Sequence, residues 1–242
     1  YSSLSLVTGD GLLTADTAAW RPQRTLVQPA FHRAGLDLVA GHVREAVARL
    51  LTRWRDVDGE VVDVDAEMMR VALEVVGASL FGTDLTGDAD RLAQATLDAL
   101  EVVIKKARTP VPAPLAFPTP TNITLKRAVA KLDAAVDAML TDRARNPLPD
   151  GEPPRDMLDM LLAAHGDDGS VLTRDQIRDQ VVTFVVAGHE TVASALTWSW
   201  QLLGAHPHVM QQLRGEADSV RGTTVDLARV PYAAAVMDEA LR

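Results

Sequence analysis

Apolar residues recur at three- and four-residue steps along most of the chain, which is the spacing of one face of an α-helix. One such face is formed by Leu36, Val39, Val43, Val47, Leu50 and Trp54. A second periodic segment starts at Met68 and reaches Phe81, and Gly82 follows where a helix would stop. Further helices are expected at about 88–107, 121–145 and 155–165. The pattern therefore predicts a mainly α fold.

The alternation typical of strands is weak. Only Val61, Val62 and Val64 offer a candidate for a short strand.

The longest predicted helix begins with a capping box, in which the Thr173 hydroxyl and the Gln176 side chain can satisfy backbone amides of the first turn. Its apolar pattern continues to Leu203, which predicts that Gly204 ends it and that Pro207 starts the next helix. About 30 helical residues span roughly 45 Å. Because residues 181–187 are apolar on most sides, we expect this helix to cross the centre of the domain.

A proline-rich stretch interrupts the helical pattern at residues 108–120, which hold five of the 13 prolines. Proline removes an amide donor and clashes inside a helix, so an extended connection is expected there. Two interpretations remain open from composition, a stiff spacer and a mobile lid.

Composition excludes several classes of function. The chain has 242 residues, a formal net charge of −9 and no cysteine. The acidic balance argues against a nucleic-acid partner, and the absence of cysteine excludes disulfides and thiolate metal ligands within these residues. No segment is expected to span a membrane and no signal segment opens the chain, so a cytoplasmic location is expected.

The centre of the longest helix carries unusual residues for a buried position. Gly188 costs about 1 kcal/mol relative to alanine in a helix interior. Glu190 is a carboxylate between apolar turns, and Thr191 can bond back to the carbonyl of Ala187. This combination predicts a widened turn facing a cavity. The alternative is a glycine at a close helix crossing, with His189 and Glu190 on a solvent-exposed edge; His189 is not expected to be a metal ligand.

Four motifs in this order resemble those of the cytochrome P450 family. They are Trp-x-x-x-Arg at Trp20–Arg24, Ala-Gly-x-Glu-Thr at Ala187–Thr191, the segment Leu202–Arg214, and Glu-x-x-Arg at Glu239–Arg242 after Val230, Pro231 and Tyr232. The motif at Ala187–Thr191, together with Phe31 after Pro29, is most similar to bacterial members that resemble microsomal and fatty-acid-hydroxylating P450s. The resemblance covers the whole chain.

The resemblance implies a mainly α domain over residues 1–242 that is the central part of the P450 fold. It would lack the N-terminal helices and sheet and the C-terminal cysteine-containing loop, so we expect a piece of a longer protein that is poorly soluble alone. The stretch at 108–120 falls where the family has its substrate-access loop, which favours the lid interpretation.

The resemblance also implies roles for residues of the first helices. Trp20 and Arg24 would hold the haem propionates by an indole N–H and a guanidinium clamp, and their four-residue spacing places them on one helix face. Phe31 would pack near the haem edge, and Phe184 would point towards the substrate.

The remaining roles fall on the later motifs. Ala187 and Gly188 would leave room for dioxygen, and Thr191 and Glu190 would deliver protons during oxygen activation. Glu239 and Arg242 would form a buried structural lock; the alternative is an ordinary exposed pair three residues apart.

The function implied is a haem-thiolate monooxygenase that inserts one oxygen atom from O2 into an apolar substrate. Its cofactor would be haem b, and its electrons would come from NAD(P)H through a ferredoxin or a flavin reductase. Because these 242 residues lack the cysteine ligand, no metal ligand is expected in this chain and the isolated piece should be inactive. The alternative is a truncated or degenerate helical binding or scaffold protein without haem.

Overall fold

The computed structural model describes residues 4–31, 33–57, 59–82, 98–106, 113–149, 151–152, 154–164, 169, 171–220 and 229–242. Within these residues the regular structure is helical, and the only β element is an isolated bridge at Val171. The helices are α1 (Ser5–Thr8), α2 (Thr17–Val27), α3 (Arg33–Asp56), α4 (Val64–Phe81), α5 (described over 98–106), α6 (Pro120–Arg145), α7 (Met157–Ala163), α8 (Arg174–Ala205), α9 (Pro207–Ser219) and α10 (Pro231–Ala240). A short 3-10 turn covers Gln28–Phe31. The predicted mainly α fold is confirmed.

Several predicted helix ends are confirmed. Gly82 follows the last residue of α4 with a φ of 60°, and its amide bonds back to the carbonyl of Ala78 at 3.0 Å. At the start of α8, the Thr173 amide bonds to Gln176 Oε1 at 2.9 Å and the Gln176 amide bonds to Thr173 Oγ1 at 3.2 Å. Both halves of the capping box are therefore formed. Residues 88–97 of another predicted helix lie outside the described residues.

Two local predictions are wrong. Val61 and Val62 are irregular rather than a strand, and Val64 is already the first residue of α4. The next residues of α4, including the acidic first turn, favour helix over strand. α8 also does not stop before Gly204 but includes it, and ends one residue before His206. Pro207 disfavours helical geometry at the residue before it, which places the break there.

Backbone contacts divide the chain into two compact units, whose boundaries fall within α3, α4 and α8. The first unit comprises Tyr1–Arg49 and Leu73–Gly188. Among the described residues, its core draws on six helices, α1, α2 and α5–α8. The central members are Leu132 and Val136 of α6, Leu158 and Leu161 of α7, and Val181, Val182 and Val185 of α8. By length and composition α8 could cross a membrane. Three of its valines, Val181, Val182 and Val185, are buried in this core, as predicted for a central helix.

Within the first unit, the segment after α1 lies against α8 at two glycines. A Cβ on Gly9 would come within 2.2 Å of the Asp179 carboxylate, and a Cβ on Gly11 would come within 2.0 Å of Thr183 Oγ1. Gly9 also has a φ of 57°, which side chains rarely adopt. The Asp10 amide then bonds to Asp179 Oδ2 at 2.9 Å. This segment can therefore approach α8 only because both positions lack a side chain.

The proline-rich stretch is described from Ala113 onwards and is non-helical up to the start of α6 at Pro120, as predicted. It is not extended throughout, because the chain turns at Leu115 and Ala116 and the Phe117 amide bonds to the Pro114 carbonyl at 3.0 Å. The buried Asn122 side chain donates to the carbonyls of Pro114 and Phe117 at 2.8 Å and 3.0 Å. Lys106 donates to Asn122 Oδ1 at 2.8 Å and to the Ala113 carbonyl at 3.0 Å. These bonds satisfy carbonyls that no helix ladder pairs.

The second unit comprises Leu50–Ala72 and His189–Arg242. Its buried apolar residues are Leu50, Met68, Val71, Ala72, Ala193, Val220 and Val230. Trp54 and Trp200 meet edge to face, with ring centroids 5.8 Å apart. Glu216 of α9 caps α10 by accepting the amides of Tyr232 and Ala233, both at 2.8 Å.

Candidate functional site

Trp20 and Arg24 lie on α2, as predicted, and they contact each other. The guanidinium carbon of Arg24 is 5.2 Å from the centroid of the Trp20 ring, within the range of a cation–π contact. Asp16 caps this helix by accepting the amide of Ala19 at 2.8 Å, so Pro22 lies inside the helix rather than at its start. Arg24 is exposed, and among the described residues no carboxylate lies within ion-pair distance of it. The pair can therefore accept an anion from outside this part of the chain.

Phe31 and Phe184 are brought together in the first unit. Their rings meet edge to face, with centroids 5.7 Å apart and an interplanar angle of 67°. Phe31 follows α2 at the end of the 3-10 turn and keeps 53% of its surface exposed, whereas Phe184 is half-buried on α8. The pair forms an exposed aromatic surface beside the central helix.

Ala187 and Gly188 lie on α8 in the first unit and are half-buried. A Cβ on Gly188 would lie 3.0 Å from Val76 Cγ2 on α4, which is tighter than ordinary van der Waals contact. Because Gly188 has no side chain, α8 can approach Val76 closely at this position. This supports the close-crossing interpretation for Gly188.

His189, which falls in the second unit, is buried and only 1% exposed, so its expected place on a solvent-exposed edge is wrong. Its ring bonds to the backbone of Met69, and its Nδ1 has no partner among the described residues. Burial lowers the pKa of His189 below its ordinary value, against the opposing effects of the Glu190 charge and the Met69 carbonyl. The sequence spacing could have predicted the burial of His189, because this residue is four positions from both Val185 and Ala193, which are buried.

Glu190 is half-buried and Thr191 is exposed on the same stretch of α8. The helix is α-helical throughout Arg174–Ala205, so the predicted widened turn at Gly188 is not present. Val192 is 46% exposed. The hydroxyl and the carboxylate are therefore accessible groups on a regular helix.

Glu239 and Arg242 form the predicted ion pair, with Arg242 Nη2 2.5 Å from Glu239 Oε1. Their side chains are 65% and 79% exposed, and α10 ends at Ala240 before Arg242. The structure thus shows the exposed pair that the alternative interpretation expected, and the predicted burial of this pair is wrong for these residues. Among the described residues, no cluster of three or more His, Asp or Glu side chains could hold a metal ion.

Sequence reasoning missed a buried amide pair in the first unit. Gln180 on α8 is fully buried and Gln23 on α2 is 6% exposed. Gln180 Nε2 donates to Gln23 Oε1 at 2.7 Å. The available signal was a glutamine one residue before the apolar run that starts at Val181.

Comparison with known proteins assigns a family. The family model described as Cytochrome P450 matches residues 1–242. The chain is 35% identical to "Cyclooctatin synthase" of Streptomyces melanosporofaciens over 98% of this chain and 52% of that protein. It is 33% identical to "Pentalenene oxygenase" of Streptomyces avermitilis over 91% of this chain and 48% of that protein.

A solved structure agrees with this assignment. The crystal structure of the cytochrome P450DA heme domain matches with a TM-score of 0.86 and 27% identity, over 100% of this chain and 54% of that chain. The chain spans about half the length of these relatives. With a family model that covers every residue and a matching helical fold, the chain belongs to the cytochrome P450 family.

Proposed function

We propose that these residues are part of a haem-thiolate monooxygenase that inserts one atom of O2 into an apolar organic substrate. The observation that carries the proposal is the accessible Trp20–Arg24 pair in a chain that belongs to this family. An arginine without a carboxylate partner, next to an indole N–H, is a donor set suited to an anionic ligand.

The residues present fit the carboxylates of haem. Arg24 can form two parallel hydrogen bonds to one carboxylate, and Trp20 can donate one more from the same helix face. Phe31 supplies exposed aromatic surface of the kind that packs against a large apolar ring. When bound, haem would supply the oxidative chemistry, and a thiolate ligand for it would have to come from a cysteine outside these residues.

Glu190 and Thr191 are the proposed catalytic residues. Glu190 is half-buried and can exchange protons with solvent, while the Thr191 hydroxyl can donate and accept hydrogen bonds. Side chains of consecutive helical residues point in different directions, so water molecules would connect the carboxylate and the hydroxyl in a relay for protons. Ala187 would leave space beside the haem because its side chain is small. Glu239 and Arg242 would form a structural lock that further residues complete.

The substrate is proposed to be an apolar, terpenoid-like molecule. Phe184 would offer it an apolar contact, and the names of the relatives include a pentalenene oxygenase and a cyclooctatin synthase. Electrons would come from NAD(P)H through a ferredoxin or a flavin reductase, and the protein would act in the cytoplasm. The segment 108–120 would be the access lid.

The test is to determine the coding sequence after Arg242, express the complete product and record the spectrum of the reduced, CO-bound protein. A downstream cysteine and the red-shifted Soret band of a thiolate-ligated haem are expected. A stop codon after Arg242, or a protein that binds no haem, would reject the monooxygenase. It would favour the second candidate, a helical scaffold without haem, which the lack of cysteine in these residues also fits.

A further inference from the structure

Few buried residues hold α2 in place, and one of them is polar, although this helix carries two candidate ligand-binding residues. It has 11 residues, and isolated helices of this length are marginal in water. Pro22 lies in its interior and removes one amide donor. Its buried residues are Gln23 and Val27. The position of Trp20 and Arg24 therefore depends on what holds those two side chains.

Gln23 is held by hydrogen bonds at both ends of its side-chain amide. Its Oε1 accepts from Gln180 Nε2 at 2.7 Å, and its Nε2 donates to the carbonyl of Asp10 at 3.0 Å. Gln180 Oε1 in turn accepts the amide of Leu12 at 3.3 Å. Within the part of the chain that the structure describes, the Gln23–Gln180 bond is the one side-chain hydrogen bond that joins α2 to α8.

Gln180 lies on the same face of α8 as the residues proposed to border the reaction. Phe184 is four residues further along and Ala187 is seven, the spacing of neighbours along one helical face. The bond to Gln23 thus connects the face that carries Phe184 directly to the helix that carries Arg24.

Packing alone does not require this pair of amides. A buried hydrogen-bonded pair contributes little net stability, and two apolar groups of the same shape can replace it at almost no cost. Apolar contacts tolerate sliding and rotation, whereas an amide pair is satisfied in one register. What the pair adds is a fixed position of α2 against α8.

We propose that Gln23 and Gln180 are positioning residues that hold α2 so that Trp20 and Arg24 are preorganised for the haem carboxylates. This inference rests on the proposed function, and it names residues that touch neither haem nor substrate. Loss of the amide pair should loosen the clamp without removing any of its donors.

The experiment measures the rate at which the complete holoprotein transfers haem to an excess of apomyoglobin. The variants are Gln180→Met, Arg24→Ala and the double variant. Methionine fills a similar volume and has no amide, which limits structural damage. Gln180→Met is expected to speed haem release about tenfold, the effect of one lost hydrogen bond to a preorganised clamp. In the Arg24→Ala background the same change should add less than about twofold, because the clamp is already gone.

Equal factors for Gln180→Met in both backgrounds, or no effect at all, would overturn the proposal, because a purely structural role is additive. Asn122→Ala is the matched control: it removes a buried side-chain amide with three hydrogen bonds in the same unit and should leave haem release unchanged. If Gln180→Met does not fold, Gln23→Met tests the same bond from α2. A wild-type protein without haem rejects the proposed function itself, whereas haem release that is unaffected by Arg24→Ala rejects only the clamp and its positioning.

Discussion

Arg24 lies with its guanidinium carbon 5.2 Å from the ring centroid of Trp20, on the exposed face of α2. The indole fixes the orientation of the guanidinium while leaving its hydrogen-bond donors free for an anion. Replacing Arg24 by alanine should therefore lower haem occupancy of the complete protein and accelerate haem release by about tenfold or more, since a charge-assisted bond is worth about 1.5–3 kcal/mol. The ratio of Soret to protein absorbance after purification checks this.

The neighbouring Arg21 provides the control on the same helix. It is also exposed, but it directly follows Trp20 in the chain, so its side chain points to a different side of the helix from Trp20 and Arg24. Arg21→Ala should leave haem occupancy at the wild-type level. Equal losses from Arg21→Ala and Arg24→Ala would mean that general positive charge, and not the Trp20–Arg24 arrangement, holds the anion.

Asp159 of α7 is the centre of a buried ion cluster that joins α7 to the end of α6. Burial alone would raise the pKa of Asp159, but hydrogen bonds from Arg155 and Arg143 outweigh it and lower the pKa to about 2. Arg143 also binds Asp156 through two bonds of 3.0 Å and 2.6 Å. Asp159→Asn leaves Arg143 buried with one charge fewer beside it, and should cost about 3 kcal/mol in urea unfolding.

The same cluster predicts an acid dependence. Because the folded pKa of Asp159 is depressed, its contribution is complete above the ordinary aspartate value and is lost as pH falls through about 2. Wild type should lose more stability than Asp159→Asn between pH 4.5 and pH 2.

Asp137→Asn is the control for the cost of Asp159→Asn. It removes an exposed carboxylate paired with Arg174 and should cost less than about 1 kcal/mol. A comparable cost for both substitutions would show that the Asp159 cluster gains nothing from burial.

The sequence predicted the helices well because their information is local. Apolar spacing and the Thr173–Gln176 capping box depend only on residues within a few turns. The misplaced strand at Val61 and Val62 also has a local cause, since short β-branched runs are ambiguous without a partner strand.

The polar interior was not predictable in the same way. The buried side chain of Gln180 donates to Gln23, which lies 157 residues away in the chain, and no local sequence pattern predicts that partner. The burial of His189 was visible in its spacing from Val185 and Ala193, but polar character argued against it. The motif residues could be named from the sequence, whereas the exposure of Glu239 and Arg242 required the structure.

His189 should make the folded protein sensitive to mild acid. Its folded pKa lies below the ordinary histidine value of about 6.5, so the unfolded chain takes up the proton more readily. Above about pH 6.5 the titration of His189 does not change the free energy of unfolding. As pH falls from there towards the folded pKa, it lowers the free energy of unfolding increasingly. His189→Leu should reduce the loss of unfolding free energy between pH 7.5 and pH 5.5 in urea titrations.

An exposed histidine provides the control for this prediction. His208 lies at the surface of α9, and His208→Gln should keep the wild-type pH dependence. If His189→Leu and wild type lose stability in parallel over that range, His189 is not held neutral by burial.

Thr191 and Glu190 give the sharpest test of the catalytic assignment. If they relay protons, Thr191→Ala should lower the rate of product formation by about a hundredfold, within the range for one proton-transfer group. NAD(P)H consumption should fall much less, with the excess electrons appearing as hydrogen peroxide. Glu190→Gln should keep the shape of the site and slow turnover with a changed pH profile. The measurement is product and peroxide per NAD(P)H oxidised. The control is Thr197→Ala: Thr197 lies on the same helix as Thr191, donates to Asp65 of α4 and has no proposed role in proton transfer. An unchanged product yield in Thr191→Ala would remove this residue from the mechanism.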